Sequence, residues 1–157
     1  MSVVVFDIDG VVADVRHRVH FVERWPQDWG RFFADAAADP LSPVGADWAH
    51  RAAAEHDLVW LTGRPEWLRT VTASWLERHG LPAGPLLMRG DGDYRPARDY
   101  KIAELRKVAA EHDIAVFVDD DPAVVEAAAR AGFTASLATW LPRGAALDEA
   151  QESAGRT

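Results

Sequence analysis

The sequence predicts an α/β fold, a parallel sheet of about five strands with helices on both faces. Three observations carry this. Apolar runs of strand length alternate with helix-spaced segments at least four times along the chain. Several of these runs stop abruptly at polar or acidic residues. The 157 residues, 48% hydrophobic and 27% charged, suit one domain with a sizeable core. Strand–helix–strand units cross over right-handed and make the sheet parallel. In such sheets ligands bind beyond the carboxyl ends of the strands.

The first strand is Val3-Val4-Val5-Phe6, an apolar run suited to burial on both faces, and it stops at Asp7-Ile8-Asp9-Gly10. A chain extended through Asp7 and Asp9 puts both carboxylates on one side, and Gly10 permits a sharp turn. Residues 14–40 differ from the rest, being aromatic and basic with Arg18, Trp25, Trp29, Phe32 and Phe33. Helical spacing there, broken at Pro26, predicts two short helices within an insert of about residues 14–45. Asp39-Pro40-Leu41-Ser42-Pro43 reads as a connector and residues 46–56 as an Ala-rich helix.

The second strand, residues 57–65, ends in Thr62-Gly63-Arg64-Pro65. Residues 66–79 predict a helix with Trp67, Leu68, Val71, Trp75 and Leu76 facing inward, stopped by Gly80. A short third strand at 85–89, a loop at 90–96 and a helix at 98–112 follow. The fourth strand runs from Ile114 into Asp119-Asp120-Asp121, and Pro122 opens a helix that Gly132 ends. Residues 133–139 predict a weaker fifth strand. The folded domain is expected over residues 1–143, and the small, polar residues 144–157 are expected to be a disordered tail.

Composition narrows the function. No cysteine is present, so disulfides and cysteine-bearing zinc sites are excluded. No apolar run approaches the ~20 residues of a membrane span, and the start lacks the pattern of a signal peptide, so a cytoplasmic location is expected. A formal charge of −8 argues against a broad nucleic-acid-binding surface and leaves room for a local, phosphate-like partner.

The strand tips gather Asp7, Asp9, Thr62, Asp119 and Asp120, with Lys101 nearby in sequence logic. Alone, an Asp-x-Asp is as well explained by a solvated strand end, Lys101 by a helix surface, and Thr62-Gly63-Arg64-Pro65 by a capped turn. Together, four carboxylates at one place require a cation, and Mg²⁺ favours such hard oxygen ligands with phosphate. A carboxylate can attack phosphorus, and a lysine and a hydroxyl can position and neutralise the phosphoryl group.

In this order, Phe-Asp-Ile-Asp-Gly-Val at 6–11, Leu-Thr-Gly-Arg at 61–64, Lys101 and Val-Asp-Asp at 118–120 resemble the four motifs of haloacid dehalogenase (HAD) superfamily phosphatases. The closest similarity within that superfamily is to the 3′-phosphatase domain of phage polynucleotide kinase-phosphatase, through Met88-Arg89, Gly92-Asp93-Tyr94-Arg95 and Val124-Val125-Glu126. The resemblance implies a Rossmann-like HAD fold and a Mg²⁺-dependent phosphatase. It implies Asp7 as nucleophile and metal ligand, and Asp9 as general acid/base lending its carbonyl to the metal. Thr62 would bond the phosphoryl group and Lys101 neutralise it. Asp120 would ligate directly and Asp119 through water. Gly63, Arg64 and Arg95 would bind substrate. Asp121 departs from the pattern, standing where that phosphatase has an arginine, and no kinase phosphate-binding loop is present.

The substrate expected is a phosphate on a nucleic-acid end or nucleotide; the acidic net charge leaves a small phosphorylated metabolite as the alternative. The other classes are a receiver-like aspartyl-phosphate switch and a non-catalytic binding module. A receiver has its acceptor aspartate on a later strand than the acidic pair, whereas here the third strand ends in Arg89.

Overall fold

The structure is a computed structural model describing residues 2–157. Five strands, β1 (Val3–Phe6), β2 (Asp57–Pro65), β3 (Leu86–Arg89), β4 (Ile114–Asp119) and β5 (Ala135–Leu137), form one parallel sheet in the order β3-β2-β1-β4-β5. The reversal of strand order falls at β1. Phe6 is in register with Trp60 on one side and Val118 on the other, so the ends of β1, β2 and β4 lie together.

The period-two alternation of β1 sorts its side chains into two cores. Val4 and Phe6 join Trp60, Trp75 and Ala49 on one face; Val3 and Val5 join Leu61, Tyr100, Leu105 and Phe117 on the other. Helix α3 (Pro43–Ala53) is capped by the Ser42 hydroxyl, which accepts from Gly45 N at 3.3 Å, with Pro43 fixing its first turn. Helix α6 (Pro122–Arg130) starts the same way on Asp121, which accepts from Ala123 N at 3.0 Å. Helix α5 (Ala97–Ala109) carries Lys101 beneath the strand ends.

The insert holds a 3₁₀ turn (Arg16–Arg18), α1 (His20–Glu23), α2 (Trp29–Ala34) and a second 3₁₀ turn (Asp35–Ala38). Its Val22, Phe32 and Phe33 make a third apolar cluster with Leu68 and Met88, so the insert is packed onto the domain. Trp75 anchors it further, donating from Nε1 to the Asp39 carbonyl at 2.9 Å.

Two expectations need correction. Trp67 does not face inward: the segment opens as a 3₁₀ turn (Glu66–Leu68) before α4 (Arg69–Arg78), which shifts its phase, and Trp67 is 57% exposed, edge-on to Phe33. Residues 144–157 are also not a disordered tail. They form α7 (Ala145–Asp148), a π-helical turn (Glu149–Ser153) and a segment that runs back over the strand ends. Leu147 and Ala150 are the apolar anchors, and the rest of the docking is polar, with Arg98 donating to Glu152 at 2.6 Å and Arg143 to Gln151 at 2.7 Å.

Candidate active site

At the carboxyl ends of β1 and β4, Asp7, Asp119 and Asp120 each present an oxygen within 4.8 Å of the others. All three are buried. Gly10, at φ +78°, turns the chain directly against Asp120, where a Cβ would collide with the carboxylate. Lys101 Nζ lies 2.6 Å from Asp119 Oδ2 and 3.1 Å from Asp7 Oδ1, bridging the two strands. Asp119 Oδ1 accepts from Asp121 N at 2.9 Å, so both its oxygens are engaged. Asp7 Oδ2 and Asp120 Oδ1, by contrast, are buried without a hydrogen-bond partner.

Burial raises the Asp7 pKa well above the usual carboxylate range, Asp119 adds to the rise, and Lys101 offsets only part of it. Burial and then Asp119 push Asp120 up to about 7, opposed by Arg143, whose Nη1 donates to Asp120 Oδ2 at 2.7 Å. Burial disfavours the Lys101 ammonium, but Asp119 and Asp7 outweigh it, and Lys101 is held protonated. The negative charge is thus under-compensated, and two carboxylate oxygens point at nothing. That donor set fits a hard divalent cation such as Mg²⁺.

Asp9 stands apart from this trio. Its Oδ1 accepts from Arg64 Nη2 at 2.6 Å and Nε at 3.0 Å, and from Arg18 Nη2 at 3.4 Å. Burial pushes Asp9 up, but Arg64 and then Arg18 bring it net below its ordinary value. Both arginines also bind Asp39, Arg18 at 2.7 and 3.0 Å and Arg64 at 2.9 Å, and His17 Nε2 lies 2.6 Å from the same carboxylate. Thr62 is buried at the end of β2, where its hydroxyl accepts from Arg64 N at 3.1 Å.

The structure brings Asp7, Asp9, Thr62, Gly63, Arg64, Lys101, Asp119 and Asp120 to the strand ends. Arg95 is not among them: its side chain is half exposed and paired with Asp93 at 2.8 Å. The arginine that reaches inward is Arg89, fully buried, donating to the Gly63 carbonyl at 3.0 Å and to the Arg95 carbonyl at 2.7 Å. As the polar end of β3 it obeys the strand-tip rule that selected Thr62. Arg18 and Asp39 also escaped sequence reasoning, since nothing in a basic, aromatic insert marks which residue turns inward. Arg143 is the last residue of the expected domain, and Thr157 lies in the segment expected to be disordered. Thr157 is 3% exposed; its hydroxyl lies 3.3 Å from Asp9 Oδ2 and its backbone oxygen accepts from Arg89 Nη2 at 3.3 Å.

Comparison with known proteins agrees with this geometry. A hydrolase from Streptococcus pneumoniae TIGR4 shares the fold at a TM-score of 0.59 and 14% identity, over 87% of this chain and 92% of that one. The sheet, with its acidic strand ends, defines a phosphatase of the HAD superfamily. Residues 1–137 match the family described as the polynucleotide kinase PNKP phosphatase domain, and the chain belongs to that family. Chains in two structures of a Pnkp1/Rnl/Hen1 complex, in one case described as an RNA repair complex, match at TM-scores of 0.71 and 0.74 and 21% identity. Each match covers 90% of this chain but only 43% and 46% of those chains, so this chain spans less than half their length. No curated protein matches the sequence. Among the described residues, no helix is long and apolar enough to cross a membrane.

Proposed function

We propose that the protein is a Mg²⁺-dependent phosphomonoesterase that removes the 3′-phosphate of a nucleotide or nucleic-acid end through an aspartyl-phosphate on Asp7. The observation that carries this reading is the pair of unpartnered buried oxygens, Asp7 Oδ2 and Asp120 Oδ1, beside an ammonium already committed to Asp7 and Asp119. Asp7 and Asp120 would hold the metal, with Asp119 and the Asp9 carbonyl completing the set. When bound, the ion supplies positive charge to the phosphoryl oxygens and holds the carboxylates ionised.

An Asp7 oxygen forms a bond to phosphorus while the bond to the leaving oxygen breaks, and Asp9 donates the proton that leaving group requires. Water then attacks the aspartyl-phosphate, Asp9 takes its proton, and phosphate leaves with Asp7 regenerated. In the structure Arg64 and Arg18 favour ionised Asp9, its form in the second step. A phosphate dianion arriving beside Asp9 raises its proton affinity and prepares the first step. Lys101 and Thr62 stabilise the equatorial oxygens.

The test is a phosphate-release screen over 3′-phosphorylated oligonucleotides, nucleoside monophosphates and sugar phosphates, with and without Mg²⁺. Release from the 3′-phosphates, lost in Asp7→Asn, supports the reading; release from sugar phosphates alone replaces it with a metabolite phosphatase.

A further inference from the structure

Beside the catalytic cluster lies a cavity of about 210 Å³ whose wall includes Trp29, Phe33, Trp67, Arg89, Tyr94 and Arg156. Phe33 and Trp29 belong to the insert's apolar cluster, but Trp67 and Tyr94 are not explained by the core. Tyr94 is 58% exposed and Trp67 is also more than half exposed, and the cavity they line is joined to the strand ends through Arg89, which donates to the Gly63 carbonyl. The planar guanidinium of Arg156 lies over two of these rings, 4.9 Å from the Trp29 centroid and 5.3 Å from that of Tyr94.

The chain on either side of Arg156 is held firmly. Gly155, at φ +59°, is pressed so closely on the carbonyls of Tyr94 and Arg95 that a Cβ would collide with them, and Arg156 N donates to the Ala150 carbonyl at 2.8 Å. The next residue, Thr157, reaches Asp9 and Arg89 and lies against Gly63, where a Cβ would meet its backbone. One short segment therefore puts a flat group on an aromatic platform and oxygen atoms at the catalytic end. A nucleoside 3′-phosphate presents the same pair of features, a flat π-faced base and an oxygen-rich group one sugar away.

We propose that the Trp29–Tyr94 platform binds the base of the substrate's terminal nucleotide, and that Arg156 occupies it as an internal competitor. The proposal rests on the phosphatase reading above for the position of the phosphate. Stacking on these rings uses the π-face common to all bases, so recognition is of a base and not of a sequence. Residues 155–157 leave the site when the nucleotide enters, and the docking of 145–154 by Leu147, Ala150 and Arg98–Glu152 keeps them close enough to return.

Steady-state kinetics on the full chain with adenosine 3′-monophosphate and glycerol phosphate test this. The unaltered protein is expected to prefer the nucleotide in kcat/KM. Tyr94→Ala and Trp29→Ala are each expected to cut that preference about tenfold through KM, the scale of one lost stacking ring. Arg156→Ala is expected to lower the nucleotide KM severalfold. Equal kcat/KM for both substrates in the unaltered protein, or a preference that survives both ring variants, overturns the proposal; Tyr94 is an exposed loop residue, so its variant decides if Trp29→Ala does not fold. If no phosphoester is hydrolysed, the phosphatase reading fails separately. Calorimetric titration with adenosine then decides the platform: tighter binding to Arg156→Ala than to the unaltered protein supports it, and no binding to either overturns it.

Discussion

Arg64 closes on Asp9 through two nitrogens that share one carboxylate oxygen, Nη2 at 2.6 Å and Nε at 3.0 Å. Both residues are buried, and Arg64 extends the pair to Asp39 and to the Thr72 hydroxyl. An arginine that sequence reasoning reserves for substrate is thus engaged by the protein's own carboxylates, and on the proposed mechanism it would hold the acid/base carboxylate in place.

Arg64→Ala leaves Asp9 and Asp39 with Arg18 as their remaining buried arginine. Removing one partner of a buried ion pair costs about 3–5 kcal/mol. Urea unfolding should give a loss near the lower end of that range, since Arg18 remains. A loss within ~0.5 kcal/mol, typical of a surface pair, would show that the network is not structural.

Asp7→Asn should separate stability from chemistry. The carboxylate of Asp7 resists ionisation because of burial and Asp119, so a neutral amide suits its surroundings. Without added metal, the variant should melt no lower than the unaltered protein, while phosphate release falls by about three orders of magnitude or more, as for removal of a covalent nucleophile. Residual release at the unaltered rate would remove Asp7 from the mechanism.

Magnesium should raise the melting temperature. A ligand at a hundred times its Kd stabilises by about 2.7 kcal/mol, and relief of carboxylate repulsion is the physical source. Asp120→Asn should lose most of the shift, and Gly10→Ala should lose it too, because its Cβ would displace the Asp120 carboxylate. A Mg²⁺ effect that persists in both variants would place the ion elsewhere.

Docking of residues 145–157 should weaken with rising pH. Burial first, then Asp121, push Glu152 up to about 8 from an ordinary 4.5, with Arg98 opposing. Glu152 Oε1 and Asp121 Oδ2 are both buried without a hydrogen-bond partner, which a proton between them would satisfy. Because the folded state binds this proton more tightly than the unfolded one, the stabilisation is full below about pH 4.5 and is lost as pH rises through about 8. Hydrogen exchange at 145–157, corrected for intrinsic rates, should show less protection at about pH 9 than at about pH 6, which lie on either side of the value of about 8, and Glu152→Gln should remove the difference. Equal protection in the unaltered protein would contradict the shared proton.

The sheet was legible because each buried strand declares itself by an apolar run, and the acidic site because its members stop those runs in chain order. Trp67 was misplaced by a 3₁₀ turn that no residue type signals. The segment after Gly144 was misread because hydrophobic content is a poor guide to a segment held by Arg143, Arg98 and Gln151. Arg89 obeyed a rule already in use and was passed over; Arg18 and Asp39 could be found only by knowing which way a short turn faces.

Arg18 and Asp39 stand 21 positions apart, one near each foot of the insert, yet their side chains meet at 2.7 Å beneath Asp9. They act as a staple that closes the loop at its base. The segment between them is tied to the same staple: Arg18 Nη1 donates to the Phe32 carbonyl at 3.1 Å, and the guanidinium lies 4.4 Å from the Phe32 ring centroid. A change in how the aromatic insert packs is therefore felt at Asp9 through Arg18, which grips both.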